Sequence, residues 1–280
     1  MADETTSSTI SELYTEIVQE ALFVAQEQSI MRGLVRNYTI AGGGKSVEVP
    51  IYGTVSAAAV SEASDLSNTA VNPTSKTITA SEVGIMTTLT DLARNSASRN
   101  VGADIGRLFG EAIAKKIDTD LTALFDGFST SIGGAGTELT IDNIFKAVAT
   151  LRQANVPAPY FGVFNPKVIY NVKKSLTNTF VNPNAGDLQN EAMRTGFIGE
   201  IAGVRIFESS NVDGTTDTDN CKGAVFSQDA LGMAMMQDLK IESQRDASLR
   251  ADEIVATAVY GVGELHDTYG VEMLNESVIN

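Results

Sequence analysis

Five consecutive residues, Gly42-Gly43-Gly44-Lys45-Ser46, end as a phosphate-binding loop ends: glycines let backbone N–H groups close on phosphate, and a lysine and a hydroxyl complete the grip. The spacing fails, because the motif needs glycine at position 39 and the chain has Thr39. The context fails too. Such a loop opens a helix whose N-terminus faces the anion, whereas Val47, Val49 and Ile51 alternate with Glu48 and Pro50 in the period of a strand. The glycines read as a hinge. Asp213, Asp217 and Asp219 hint at a cation loop, but the next ligand position falls on Cys221, and Lys222 stands where the turn glycine belongs. His266 and Cys221 are single copies of their kind, so neither a paired-His nor a His/Cys zinc centre can be built from them. No nucleophile motif lies near His266, and nothing electropositive surrounds Cys221. They read as a core or surface histidine and an incidental cysteine in a polar loop. Lys115, Lys116, Asp118 and Asp120 crowd one stretch, but residues two apart do not share a helix face, and the group reads as solvated charge. The sequence presents no catalytic, cofactor-binding or metal-binding residues, and no cofactor is expected.

Composition narrows the classes further. The 280 residues hold 20 Lys+Arg against 35 Asp+Glu, a formal net charge of −15, which argues against a surface whose main task is to grip nucleic acid. A chain of this length buries roughly three quarters of its unfolded surface and needs no staple, and one cysteine makes no intrachain disulfide. Apolar runs are too short to span a membrane, and no basic residue precedes Arg32, so neither a signal nor a transit peptide is expected.

The elements that would position any site follow from periodicity. Ile10, Leu13, Tyr14, Ile17, Val18, Ala21 and Val24 recur at helical spacing behind a Thr9/Glu12 capping box. This predicts an amphipathic helix, either packed on its own body or laid as an arm on a neighbouring subunit. Two strand-like runs, 46–60 and 76–90, flank a polar tip with Ser64, Asp65, Ser67, Asn68, Asn72 and Pro73, which predicts a long hairpin. Its return run changes phase between Ile78 and Ala80 and then Val83, Ile85 and Leu89, which predicts a bulge. Fifteen residues at strand rise reach about 50 Å, against a radius of gyration of about 19 Å for a globule of this length. The only sizeable aliphatics between Gly53 and Ser75 are Val55, Val60, Leu66 and Val71, too few for a private core. The hairpin must lie on something else, most economically another copy of the chain.

Ile105, Phe109, Ile113, Ile117, Leu121 and Phe125 repeat every four residues and predict a helix over 98–125, about 42 Å long and stopped by Gly127. Thr140 then caps a helix with Ile144, Val148 and Leu151, residues 160–164 read as a buried strand, and Asn165-Pro166 opens a further helix. A short helix near 187–194, a turn-and-strand unit at 199–207, and strands around 224–227, 233–242, 254–265 and 271–274 complete the reading.

In this order the parts resemble, from end to end, the major capsid protein of tailed bacteriophages, the Hong Kong 97 fold. Most weight falls on the helix ending in Phe125-Asp126-Gly127, the strand ending in Asn165-Pro166, and the Gly199-x-x-x-Gly203-Val204-x-Ile206 unit followed by a strand. The resemblance implies an α+β fold with an N-terminal arm (1–44) and an extended hairpin loop (45–92). A peripheral domain with the spine helix would come from 93–138 and 240–265, and an axial domain from 139–239 and 266–280. It implies a structural protein, not an enzyme, whose copies form hexamers and pentamers in an icosahedral shell around the double-stranded DNA of a tailed bacteriophage. Its expected place is the virion, after assembly in the bacterial host cytoplasm. Expected partners are other copies of itself, a separate scaffolding protein, the portal and decoration proteins, with no sequence-specific DNA contact and no membrane.

Two alternatives belong to other classes: an encapsulin-like compartment of the same fold that packages an enzyme, and an acidic hydrolase built on two of the 35 carboxylates, which requires a carboxylate pair with split pKa values in a pocket. The crosslink known in some capsid proteins is not carried over to Lys76, since nothing local supplies its partner or catalytic carboxylate. Glu62 near the hairpin's outer end is a candidate for an intersubunit salt bridge, with a solvated carboxylate as the ordinary alternative. Residues 1–44 are too few for a fused scaffolding domain, so no large N-terminal cleavage is expected.

Overall fold

The computed structural model describes residues 29–41, 43–53, 55–57, 59–62, 65, 68, 70–96, 101–178, 199–212 and 220–277. After a 3-10 turn (Met31–Gly33), the strands β1 (Arg36–Thr39), β2 (Ser46–Ile51), β3 (Thr74–Thr79) and β4 (Ser81–Thr90) precede the helices α1 (Asp91–Ser96) and α2 (Val101–Thr122). A second 3-10 turn (Ala123–Gly127) and β5 (Ser131–Gly133) lead to α3 (Ile141–Gln153), β6 (Tyr160–Phe164) and α4 (Pro166–Asn178). The strands β7 (Glu200–Ile201), β8 (Val204–Glu208), β9 (Asn220–Ser227), β10 (Leu231–Asp246), β11 (Ala251–Glu264) and β12 (Gly270–Glu276) follow. They make a four-stranded sheet in the order β1-β10-β11-β4, a six-stranded sheet in the order β5-β12-β9-β6-β8-β7, and the two-stranded β2-β3.

The long helix shows how the pattern becomes packing. Phe109, Ile113, Ile117 and Leu121, each four residues from the next, are all buried, while Leu108 on the opposite face is 60% exposed. The buried row packs on the four-stranded sheet together with Met31, Val35, Met233, Ile241 and Ile254. The helix runs 101–122 and then tightens into the 3-10 turn, so the predicted end at 125 is met by a narrower helix. Phe125 points from that turn into the core, its ring centroid 5.5 Å from that of Phe226. A second core joins α3 and α4 to the other face of the six-stranded sheet. There the Thr140 hydroxyl accepts from the Asn143 N–H at 3.3 Å, and the Asn165 side chain accepts from the Lys167 N–H at 3.0 Å beside Pro166, the first residue of α4. All five residues of β6 are buried, as a strand covered on both faces requires.

Three expectations are corrected. The phase change at Ala80 marks a change of sheet and not a bulge: β3 pairs with β2, and after Ala80 the chain enters β4 and pairs antiparallel with β11. Ile78 faces one small core while Val83 and Ile85 face the large one, which shifts the parity of burial. The stretch read as arm up to residue 44 enters the body earlier, because Met31, Leu34 and Val35 are core residues and β1 lies parallel to β10. The sheets also divide the chain elsewhere than at 239/240 and 138/139: β10 already belongs to the four-stranded sheet from Leu231, and β5 pairs with β12 in the six-stranded one. The predicted helices near 9–24 and 187–194 lie outside the described residues.

Candidate assembly surface

The extended hairpin is held at its root and open beyond it. β2 and β3 pair over six rungs, from Ser46↔Thr79 to Ile51↔Thr74. This is about 20 Å of ladder, shorter than the fifteen-residue strands expected. Beyond it, the described residues between 52 and 73 form no ladder; Pro50 already lacks a donor N–H, and the run of small residues after Gly53 offers few cross-strand apolar pairs. Tyr52, Val55, Val60 and Val71 are about half or more exposed there, and Glu62 is exposed. Leu66 lies outside the described residues.

The root, by contrast, is seated tightly. Ile78 is 2% exposed and packs with Ile40, Ala80, Ala234 and Leu265. Glycines make the seat. A Cβ on Gly263 would stand 3.1 Å from Ile78 Cγ1, one on Gly232 would stand 2.9 Å from Ile78 Cδ1, and one on Gly261 would collide with the Thr79 carbonyl. The close approach of hairpin to sheet therefore requires these positions to lack side chains. Lys76 is exposed on the same root, near Glu264 and His266. Burial raises the Glu264 carboxyl, with Asp267 adding to the rise and Lys76 opposing it, and burial lowers the His266 imidazole. The His266 ring stacks on Tyr269 at a centroid distance of 4.3 Å.

At the far end of the four-stranded sheet, four charges clamp the β10–β11 turn to α1. Arg245 holds Asp91 through two bonds, 2.8 Å from Nη1 to Oδ1 and 2.6 Å from Nη2 to Oδ2, and reaches Asp252 at 3.2 Å. Arg94 bridges the same two carboxylates. The Arg245 hydrogen bonds hold Asp91 below the usual carboxylate range. Leu92 and Leu249 stand 80% and 58% exposed beside this clamp.

A third locus overturns an expectation. Of the charged stretch on α2, Lys115 and Lys116 are exposed, and Lys116 pairs with Asp120 at 2.6 Å. Asp120 also accepts from the Tyr260 hydroxyl at 2.8 Å, and burial with that carboxylate nearby holds Tyr260 above its usual range. Asp118 is not solvated at all: it is 1% exposed and accepts hydrogen bonds from residues 29–31. The signal was present in the sequence, because Ala114, Asp118 and Thr122 form a row at four-residue spacing beside the apolar stripe, and all three are buried.

The remaining sequence candidates do not converge. Gly43 has φ +85°, and the chain after Lys45 is a strand, not a helix. Cys221 sits buried in β9 within the second core and not in a polar loop. Asp213, Asp217 and Asp219 lie outside the described residues. Among the described residues, no group of three His, Cys, Asp or Glu is placed to hold a metal ion, and no helix is long and apolar enough to cross a membrane.

Comparison with known proteins gives a consistent picture. The family model described as phage capsid protein matches residues 73–272. Among solved structures, the capsid of the cyanophage P-SCSP1u superposes with a TM-score of 0.70 at 21% identity, covering 88% of each chain. The structure of Mycobacterium phage Che8 gives 0.67 at 24% identity, covering 82% of this chain and 84% of the other. A virus-like particle from Pyrococcus furiosus gives 0.66 at 12% identity, covering 93% and 98%. Curated protein sequences gave no match. The fold is the α+β Hong Kong 97 type that the order of elements implies.

Proposed function

Because the chain belongs to the phage capsid protein family, we propose that it is the shell subunit of a tailed bacteriophage, assembling as hexamers and pentamers into an icosahedral capsid around double-stranded DNA. One observation carries this reading: a firmly seated hairpin whose outer part, between 52 and 73, exposes Tyr52, Val55, Val60 and Val71 and forms no ladder among the described residues. An isolated ribbon of this kind is marginal in water, and a second copy of the chain supplies what it lacks. In this reading the four-stranded sheet with α2 is the peripheral body, and the six-stranded sheet with α3 and α4 is the axial one. The subunit acts without turnover, in the virion after assembly in the host cytoplasm, with a separate scaffolding protein, a portal and decoration proteins as partners. The acidic balance suits a container wall, since each Lys or Arg set against phosphate adds salt-dependent affinity for the cargo.

Size-exclusion light scattering and negative-stain electron microscopy, with and without a co-expressed scaffold, test the reading. Uniform closed shells are expected from the parent chain. Val60→Asp, at a site 49% exposed, should leave the circular dichroism unchanged and abolish the shells. A monodisperse monomer under every condition would overturn the reading. The likeness to the Pyrococcus furiosus particle supports a second possibility, a compartment of the same fold; purified shells that protect protein cargo and no DNA from nuclease would favour it.

A further inference from the structure

Asp118 has no part in the hairpin seat or the charge clamp. Its Oδ1 accepts from the Ser29 hydroxyl at 2.9 Å and the Met31 N–H at 3.2 Å, and its Oδ2 accepts from the Ile30 N–H at 3.2 Å. From the other side Asn211 faces the same carboxylate across a shared cavity wall. One turn further along α2, the Thr122 hydroxyl donates to the Asn211 carbonyl at 3.1 Å. Two segments remote in sequence, the root at 29–31 and the loop after β8, thus hang on one turn of one helix. The backbone N–H groups of Ile30 and Met31 stand at the start of a 3-10 turn, where no partner exists within the turn itself, so a fixed carboxylate satisfies them. Beside it lies a cavity of about 480 Å³ lined by Glu111, Lys115, Glu208 and Ser209. Glu208 is drawn to Lys173 at 2.6 Å and Glu111 to Arg107 at 4.0 Å.

We propose that Asp118 is a positioning residue that couples the two segments: it fixes the point at which the chain emerges at Ser29 and ties that point to the loop 209–212, hence to the placing of the six-stranded sheet against α2. A buried carboxylate with no such task would be replaceable by an apolar residue of similar shape. Because one turn of α2, Asp118 with Thr122, serves both segments, loosening either loosens the other. The proposal stands apart from the shell reading, since it concerns contacts within one chain.

The test is site-resolved amide hydrogen exchange on the soluble chain, whether or not it forms particles. Reporters are Gly33 and Leu34, whose N–H groups bond to Ile30 and Met31, and Asn211 and Val212, whose N–H groups bond to Ser209. Asp118→Asn removes the charge and turns one acceptor into a donor, so exchange at all four should rise about tenfold to a hundredfold while the centre of β11 holds. Ser29→Ala touches only the root, and exchange at Asn211 and Val212 should still rise about threefold or more. Ile117→Val in the same helix serves as the control for a merely structural role, and should leave the ratio of these four amides to the centre of β11 as in the parent. The proposal is overturned if Ser29→Ala leaves Asn211 and Val212 unchanged, or if Asp118→Asn raises exchange everywhere alike.

Discussion

The seat of the hairpin makes a quantitative prediction, because one side chain and one glycine face each other there. Ile78→Ala removes three carbons from a site 2% exposed. At about 0.8 kcal/mol per buried methylene this is about 2.4 kcal/mol of transfer free energy, and the cavity left beneath brings the expected loss to about 3–4 kcal/mol. Gly263→Ala works against two opposed effects. Replacing glycine within a strand gains about 0.5–1 kcal/mol of backbone entropy, but the new Cβ would stand 3.1 Å from Ile78 Cγ1, and its three nearest neighbours beyond the adjoining residues are all atoms of Ile78. The single variant should therefore be near neutral or slightly destabilised. In the Ile78→Ala background the obstacle is gone and the new methyl enters the vacated space, so the double variant should recover about 1 kcal/mol relative to additivity. Native-state hydrogen exchange on the soluble chain, read at the amides of β2 and β3 against those at the centre of β11, measures all four corners of the cycle. Strict additivity would refute the notch. Equal losses in the hairpin and in β11 would show that Ile78 belongs to the global core and not to a local seat.

Three further outcomes are expected. Carboxyl titration by nuclear magnetic resonance should separate two aspartates: Asp91 is held below its ordinary value near 3.8 chiefly by Arg245, so its stabilising effect is full above that value and is lost as pH falls through the folded one. Asp118 is raised, mainly by burial and against its hydrogen bonds, so the folded chain takes up that proton first and stability from this group increases as pH falls between the unfolded and folded values; a parallel response of the two would contradict these environments. Thr140→Ala should cost about 0.5–2 kcal/mol through loss of the cap on α3, whereas Thr140→Asn should be near neutral in a thermal melt. Arg245→Lys should raise hydrogen exchange at Ser248 and Leu249 nearly as much as Arg245→Ala does, because a lysine cannot reproduce the two-pronged hold on Asp91; full protection in the lysine variant would refute the clamp.

What the sequence made legible was local. The four-residue repeat of Phe109, Ile113, Ile117 and Leu121, the cap at Thr140 and the Asn165-Pro166 start each depend on neighbours a turn away, and the structure places each where its pattern predicts. What stayed hidden depends on partners far along the chain. β1 lies parallel to β10, some two hundred residues later, and no local pattern encodes that pairing. The seat of Ile78 is made by the absence of side chains at Gly232, Gly261 and Gly263, which a hydrophobicity pattern cannot register. Asp118 stood beside a recognised apolar row, but a rule about pairs two residues apart hid its place on the helix face.

The same contrast bears on why such a chain would assemble. A segment that lacked its own partners and swung freely from the body would bind another copy weakly, since ordering it would consume most of the contact free energy. Here the freedom is removed at the root. Six ladder rungs, Ile78 in its glycine notch and the Thr79 backbone pressed against β11 fix where the hairpin starts and which way it faces before any partner arrives. In the proposed shell, any contact made by the exposed Tyr52, Val55, Val60 or Val71 would be small, yet with the root held rigid the second and third contacts on a neighbour would become intramolecular and their effects would compound as avidity. Weakening the seat should therefore harm assembly more than its loss of monomer stability implies. Ile78→Ala shells, if they form, should dissociate at lower denaturant than Val60→Ala shells, although Val60 is half-exposed on the outer hairpin and Ile78 is buried in its own chain.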